Sequence, residues 1–192
     1  RASLNDLANI LYTSGTTGEP KGVLLHHSTY EEIIRIHDIR LTNMSDKDVS
    51  MCFLPLTHVF ERAWTYYCLH RGVVVCLNLK PAEIASTIKE VRPTLMCSVP
   101  RFWEKVYAGV NEKIASEKGL KQKLMLDAIR VGKEHNLNYV RVGKPAPLLL
   151  RLKYKFYEKT IFSLLKKTIG LDNGNFFPVA GAAVPNEICE FV

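Results

Sequence analysis

The sequence predicts an α/β fold: a mainly parallel sheet covered by helices, with a helical insertion. Two observations carry this. Strands of five to seven residues alternate with helices of about 12 through the first half, the pattern of helix-covered parallel strands. Those strands read as continuous apolar runs rather than alternating ones, as expected where both sheet faces are buried.

Residues 6–12 read as the first strand, running into a glycine- and threonine-rich loop at 13–22. Ser28 is the expected N-cap of a helix in which Tyr30, Ile33, Ile34 and His37 share a face. Val49 to Leu54 is a compact strand ending at Pro55, and His58 to Leu69 a helix closed by Gly72. Val73 to Leu79 is the next strand. Pro81 opens a helix with Ile84, Ile88 and Val91 on one face and Pro93 past its end. Leu95 to Val99 is a further short strand.

From Pro100 to about Gly170 the pattern is helical throughout: 100–116, 121–135, and one or two helices over 148–169. A loop is expected over 136–147, where Gly143, Pro145 and Pro147 fall. After an Asp172-Asn173-Gly174 turn, Phe176 to Val179 reads as a strand again, and a helix starts near Pro185. The expected organisation is therefore a sheet portion over 1–100 and 171–192, interrupted by a helical insertion over 101–170.

Charge follows the same division. Residues 1–100 carry ten basic and ten acidic groups, residues 101–170 sixteen and six, and residues 171–192 none and three. The basic segment fits solvated helix faces, or attraction to an anionic lipid surface or phosphorylated ligand. Nucleic acid is disfavoured, since neither zinc-finger spacing nor an aromatic RNA-binding signature is present. Five cysteines without CxxC spacing, four of them in apolar stretches, suit free thiols in a reducing compartment such as the cytoplasm. No apolar run approaches the roughly 20 residues of a membrane span. The chain begins at Arg1 and ends on Glu190-Phe191-Val192, which we read as cuts in a longer protein.

The most informative stretch is Tyr12-Thr13-Ser14-Gly15-Thr16-Thr17-Gly18-Glu19-Pro20-Lys21-Gly22-Val23. Between Thr13 and Gly22 it holds three glycines, four hydroxyl side chains and one lysine. Glycines let backbone N–H groups converge on an anion, hydroxyls add adaptable donors, and lysine adds a mobile charge. These are the parts of a polyphosphate cradle, although composition alone fits an ordinary surface loop equally well. It is not a Walker A loop, because Pro20 precedes Lys21 and Gly22 follows it.

The order of residues resembles the phosphate-loop signature of the adenylate-forming superfamily, Tyr-Thr-Ser-Gly-Thr-Thr-Gly-x-Pro-Lys-Gly-Val, with Glu19 at the free position. Other segments are similar to the long-chain fatty acyl-CoA synthetases within it. Leu54-Pro55-Leu56-Thr57-His58-Val59-Phe60-Glu61 resembles their Leu-Pro-Leu-x-His-x-x-Glu element. Val99-Pro100-Arg101-Phe102-Trp103-Glu104-Lys105 looks like their Val-Pro-Arg-x-x-Glu-Lys element. Val179-Ala180-Gly181-Ala182-Ala183 resembles their Ser-Gly-Gly/Ala-Ala element, with Ala180 where a second small residue is usual. The basic helical segment is similar to an insertion of this branch.

The resemblance implies an N-terminal-lobe fragment of an enzyme using ATP, Mg²⁺ and coenzyme A. A fatty carboxylate attacks the α-phosphorus of ATP, pyrophosphate leaves, and the CoA thiol then displaces AMP. Ser14, Gly15, Thr16, Thr17, Gly18 and Lys21 would hold the phosphates, with Lys21 steadying the leaving pyrophosphate. Thr13 would be the hydroxyl ligand near Mg²⁺. Gly181, Ala182 and Ala183 would line the adenine and acyl pocket. His58 is either a capping or packing residue at a helix start or, as the resemblance implies, a neighbour of the substrate carboxylate and α-phosphate.

Glu61 and Arg62 are expected to pair with each other. Trp64 and Val99 are core or acyl-tunnel residues, and His26-His27 a solvated loop edge rather than a metal site. The family's Mg²⁺-binding glutamate, ribose-binding aspartate and catalytic lysine have no counterpart in these residues, so the fragment alone is expected to be inactive. The competing readings are a phosphate-binding module that never adenylates, a membrane or protein interaction piece, and an enzyme acting on an aryl or amino acid.

Overall fold

The computed structural model describes residues 1–13 and 18–191. They form two compact units, one of Arg1–Cys97 with Gly174–Pro178 and one of Ser98–Asn173 with Val179–Val192.

The first unit opens with a β-hairpin. Strand β1 (Leu7–Thr13) pairs antiparallel with β2 (Lys21–His26), Thr13 facing Lys21 and Tyr12 facing Gly22. Sequence reading assigned no strand to β2, because Val23-Leu24-Leu25 is a short apolar run directly behind a loop. A glycine is needed at 22 because a Cβ there would lie 2.9 Å from Ile10 Cγ2. Helix α1 (His27–Arg40) follows without a connecting loop. Its N-cap is therefore His26 and not Ser28, whose amide donates to the Leu4 carbonyl at 2.9 Å.

Parallel pairing begins with β3 (Val49–Cys52) and β4 (Val74–Leu77), in register from Val49 opposite Val74 to Cys52 opposite Leu77. Helix α2 (Val59–His70) is the crossover between them. Parallel bridges join Ser50 to Leu95 and Leu95 to Phe176, extending the parallel array by two short extended lines. After a 3₁₀ turn at Pro81–Glu83, helix α3 (Ile84–Val91) ends at Arg92, whose φ of 48° is left-handed. The core beneath these strands holds Met44, Trp64, Tyr67, Cys68, Val73, Leu95 and Cys97.

The second unit is helical. Helix α4 (Pro100–Ser116) has proline in its first turn, where no intrahelical donor is lost. Helix α5 (Gly119–His135) continues into a π-helical turn at Asn136–Val140, a segment expected to be loop. Helix α6 (Leu148–Tyr157) passes through a second π turn at Glu158–Phe162 into α7 (Ser163–Ile169). Gly170 closes α7 with a φ of 88°, its amide and that of Leu171 both donating to the Lys166 carbonyl. A short helix, α8 (Asn186–Cys189), ends the unit. Two apolar clusters hold these helices, one around Val110, Ile114 and Met125, the other around Ala128, Val131 and Tyr157.

Candidate active site

The hairpin positions the flanks of the glycine-rich loop. Strand register sets Thr13 and Lys21 opposite each other where the loop begins and ends, with Thr13 Oγ1 donating to the Lys21 backbone carbonyl at 3.5 Å. Both side chains are exposed. Gly18 has a φ of 91°, which a residue with a Cβ rarely adopts, and open space lies where that Cβ would stand. Ser14, Gly15, Thr16 and Thr17 lie outside the described residues.

His58 is the N-cap of α2, yet its ring makes no capping bond and the residue is exposed. The backbone does the local work: the His58 amide donates to Pro55 at 2.9 Å, and the Arg62 amide donates to His58 at 3.2 Å. The imidazole is thus neither cap nor core.

Arg62 does not pair with Glu61. Its Nε donates to the Leu56 carbonyl at 2.7 Å, bracing the Pro55–His58 turn. Its guanidinium also faces Tyr30, whose pKa is raised because burial outweighs the pull of Arg62. Tyr30 in turn donates to Asn9 Oδ1 on β1 at 2.6 Å. Asn9, Tyr30 and Arg62 thereby tie the strand that leads into the glycine-rich loop to the turn that carries His58. Sequence reading missed this link. Tyr30 read as one apolar position of a helix, and nothing in its spacing marks the hydroxyl.

Glu61 points the other way, into the core. Both carboxyl oxygens are fully buried without a well-formed hydrogen bond. Burial drives its pKa up to about 7, against weaker downward pulls from the Cys52 thiol and the Leu54 amide. The thiols around it are poor nucleophiles, since burial raises Cys52 to about 12 and Cys68 to about 11. Trp64 is core, 3% exposed, with Nε1 donating to Ser50 Oγ at 3.0 Å.

Gly181, Ala182 and Ala183 belong to the second unit and are exposed. They follow a parallel bridge between Ser98 and Val179 and a 3.2 Å bond from the Ala180 amide to the Ser98 carbonyl. Gly181 has a φ of 95°, so a glycine is required there by backbone conformation. Val99 Cγ1 lies 3.9 Å from where its Cβ would be, which leaves Val99 against the Gly181 turn.

Residues 1–192 match the family described as AMP-binding enzyme. The chain belongs to that family. Among its relatives, the human long-chain-fatty-acid–CoA ligase ACSBG2 is 32% identical over 193 residues, covering 97% of this chain and 28% of the ligase. Long chain acyl-CoA synthetase 6, peroxisomal, of Arabidopsis thaliana is 31% identical, covering 98% of this chain and 25% of that protein. The chain thus spans about a quarter of the length of these relatives. The N-terminal domain of FACL13 from Mycobacterium tuberculosis, solved with an inhibitor, is 26% identical with a TM-score of 0.47, covering 54% of this chain and 26% of that one. The family assignment rests on the full-length match and agrees with the Tyr12–Val23 signature.

Proposed function

We propose that this chain is part of the nucleotide-handling lobe of an enzyme that activates a long-chain fatty acid with ATP and transfers it to coenzyme A. The observation that carries this is the hairpin, which sets the Thr13 hydroxyl beside Lys21 across a glycine-rich loop of the AMP-binding family. The long acyl substrate is supported by the names of the relatives, long-chain-fatty-acid–CoA ligase and long chain acyl-CoA synthetase.

In the first step a carboxylate oxygen bonds to the α-phosphorus of ATP, and the bond from that phosphorus to the pyrophosphate oxygen breaks. Charge grows on the leaving pyrophosphate, where Lys21 and backbone donors of residues 14–18 stabilise it. His58, with an uncommitted ring at the start of α2, stands by the carboxylate and α-phosphate. In the second step the CoA thiol takes the acyl carbon and AMP leaves. Gly181, Ala182 and Ala183 leave room for adenine and acyl groups. The exposed Thr13 hydroxyl suits Mg²⁺, a hard cation that takes oxygen ligands and would neutralise phosphate charge.

A further partner is an anionic membrane surface. On α6, Leu148, Leu152 and Phe156 form an i, i+4, i+8 stripe with exposures of 62%, 55% and 59%. Arg151, Lys155 and Lys159 run beside it, also exposed. Such a face lies in a lipid interface without spanning it, and no described helix is long and apolar enough to cross a membrane.

The deciding experiment is pyrophosphate exchange by the full-length enzyme with a panel of acids. Exchange with long-chain fatty acids is the expected result. Exchange confined to aryl or amino acids overturns the substrate, and nucleotide binding without any exchange leaves a phosphate-binding module.

A further inference from the structure

The helical unit contains a cavity that the adenylation chemistry does not use. Its volume is about 440 Å³, within the range of small-molecule sites. Both π turns contribute to its wall, Leu137 and Val140 from the first and Phe162 from the second. A π turn adds a residue to the helical ladder and pushes side chains out of the regular stripe, which is why such turns recur at functional sites. Here the second one brings Phe162 onto α5 at Gly132, where a Cβ would meet the ring at 2.9 Å. An alanine there would force the ring to shift.

The charges on the wall are unbalanced. The lining holds three cations, Lys133, Arg141 and Lys166, and one carboxylate, Glu190, which lies 3.4 Å from Lys133. Among the described residues Arg141 and Lys166 have no ion-pair partner. Asn136 is engaged by His135 at 2.9 Å, and the His135 ring stacks on Tyr154 with centroids 4.0 Å apart. What is left for a ligand is an apolar wall bordered by two uncommitted cations.

We infer that this cavity binds a single-chain amphiphilic anion, its head on Arg141 and Lys166 and its chain along Leu137, Val140 and Phe162. A neutral lipid leaves the cations unpaired, and a small inorganic anion leaves the apolar wall wet. The inference does not rest on the fatty-acid ligase reading, because it concerns binding in the helical unit and not turnover.

The test is photo-crosslinking of the full-length protein with a diazirine-bearing dodecanoate, followed by peptide mapping. Label is expected within residues 129–141 and 154–166. Excess dodecanoate or dodecyl phosphate should displace it, the stronger of the two identifying the head group, whereas dodecanol should not. Arg141→Glu combined with Lys166→Glu should lower labelling at least about tenfold, the loss expected on removing charge-assisted contacts. Val140→Trp, which fills the cavity and keeps the cations, should do the same. Label found only elsewhere, labelling unchanged in these variants, or equal displacement by dodecanol overturns the inference. Pyrophosphate exchange measured in parallel reports on the ligase reading separately.

Discussion

Two carboxylates placed among helices are treated in opposite ways by the two units. In the sheet-bearing unit, Glu61 on α2 is fully buried, lacks a well-formed hydrogen bond, and is pushed up to about 7 by burial. In the helical unit, Asp127 on α5 is held well below the usual carboxylate range by Lys153, Tyr157 and Arg130. Lys153 Nζ lies 2.7 Å from it, the Tyr157 hydroxyl 2.6 Å and Arg130 Nη2 2.6 Å. The first unit carries an uncompensated group beneath the helix whose N-terminus presents His58. The second gives its carboxylate three partners instead, one hydroxyl and two cations. The difference shows that burial without partners raises a carboxyl pKa, whereas cationic and hydroxyl partners near the surface lower it.

The largest expected effect probes the chemistry assigned to the first unit. In the full-length enzyme, Lys21→Ala or Gly18→Val should lower pyrophosphate exchange by about 10²–10³, the usual cost of losing one transition-state donor. Gly18→Val also forces a branched side chain onto a φ of 91°. Unchanged exchange in both variants removes the phosphate-cradle reading. The chain of residues 1–192 alone should turn over neither half-reaction, and acyl-CoA formation by it above background would contradict the assigned roles.

The next effect sharpens the contrast between the carboxylates. Glu61 has a folded pKa of about 7 against an ordinary value of 4.5. The folded state holds this proton more tightly, so its contribution is fully present below about pH 4.5 and is lost as pH rises through 7. The whole span corresponds to about 3 kcal/mol, with about 1 kcal/mol falling between pH 6 and 8. Glu61→Gln should flatten that part of the stability–pH profile in denaturant titrations and raise stability at the alkaline end. A profile unchanged by the substitution would mean that Glu61 finds a partner in solution.

How far this was legible in the sequence depends on the kind of signal. The helices at 59–70 and 100–116 announce themselves through apolar spacing and proline at a first turn, and the glycine-rich loop through residue order. Strand β2 was not legible, because its pairing is set by the hairpin and not by its own three apolar residues. The π turn at Asn136–Val140 hides in a polar stretch that reads as loop. The expected Glu61–Arg62 pair failed for a geometric reason. Adjacent helical residues point about 100° apart, so one reached the core and the other the Leu56 carbonyl.

A smaller effect belongs to the other carboxylate. Asp127→Ala removes the acceptor of the buried Tyr157 hydroxyl and the partner of Lys153, both on α6. With the carboxylate 28% exposed, the cost should be about 1–2 kcal/mol. Because its folded pKa is depressed, that stability is present above the ordinary carboxylate range and is lost as pH falls below it. Thermal unfolding of the variant should therefore differ from the parent at neutral pH and converge with it in acid. Convergence at neutral pH would mean that α5 and α6 are held by apolar contacts alone.

The smallest effects, residue by residue, concern the outer face of α6. The basic segment over 101–170 puts Lys144, Arg151, Lys153, Lys155, Lys159, Lys166 and Lys167 within 24 residues. The structure removes two from that set. Lys153 is committed to Asp127, and Lys166 borders the cavity of the helical unit. Of the other five, Arg151, Lys155 and Lys159 lie beside the Leu148–Leu152–Phe156 stripe, and each basic group near an anionic leaflet contributes about 1 kcal/mol. The apolar stripe adds an area term that is insensitive to salt, whereas the cations act only within a Debye length of about 10 Å at 0.1 M. Reversing Arg151, Lys155 and Lys159 to glutamate in the full-length enzyme should thus abolish the salt-dependent part of vesicle co-sedimentation. Leu152→Ser with Phe156→Ser should weaken binding at every salt concentration. Equal binding of the parent to neutral and anionic vesicles would assign these cations to solvation, because an electrostatic contribution cannot survive removal of the lipid charge.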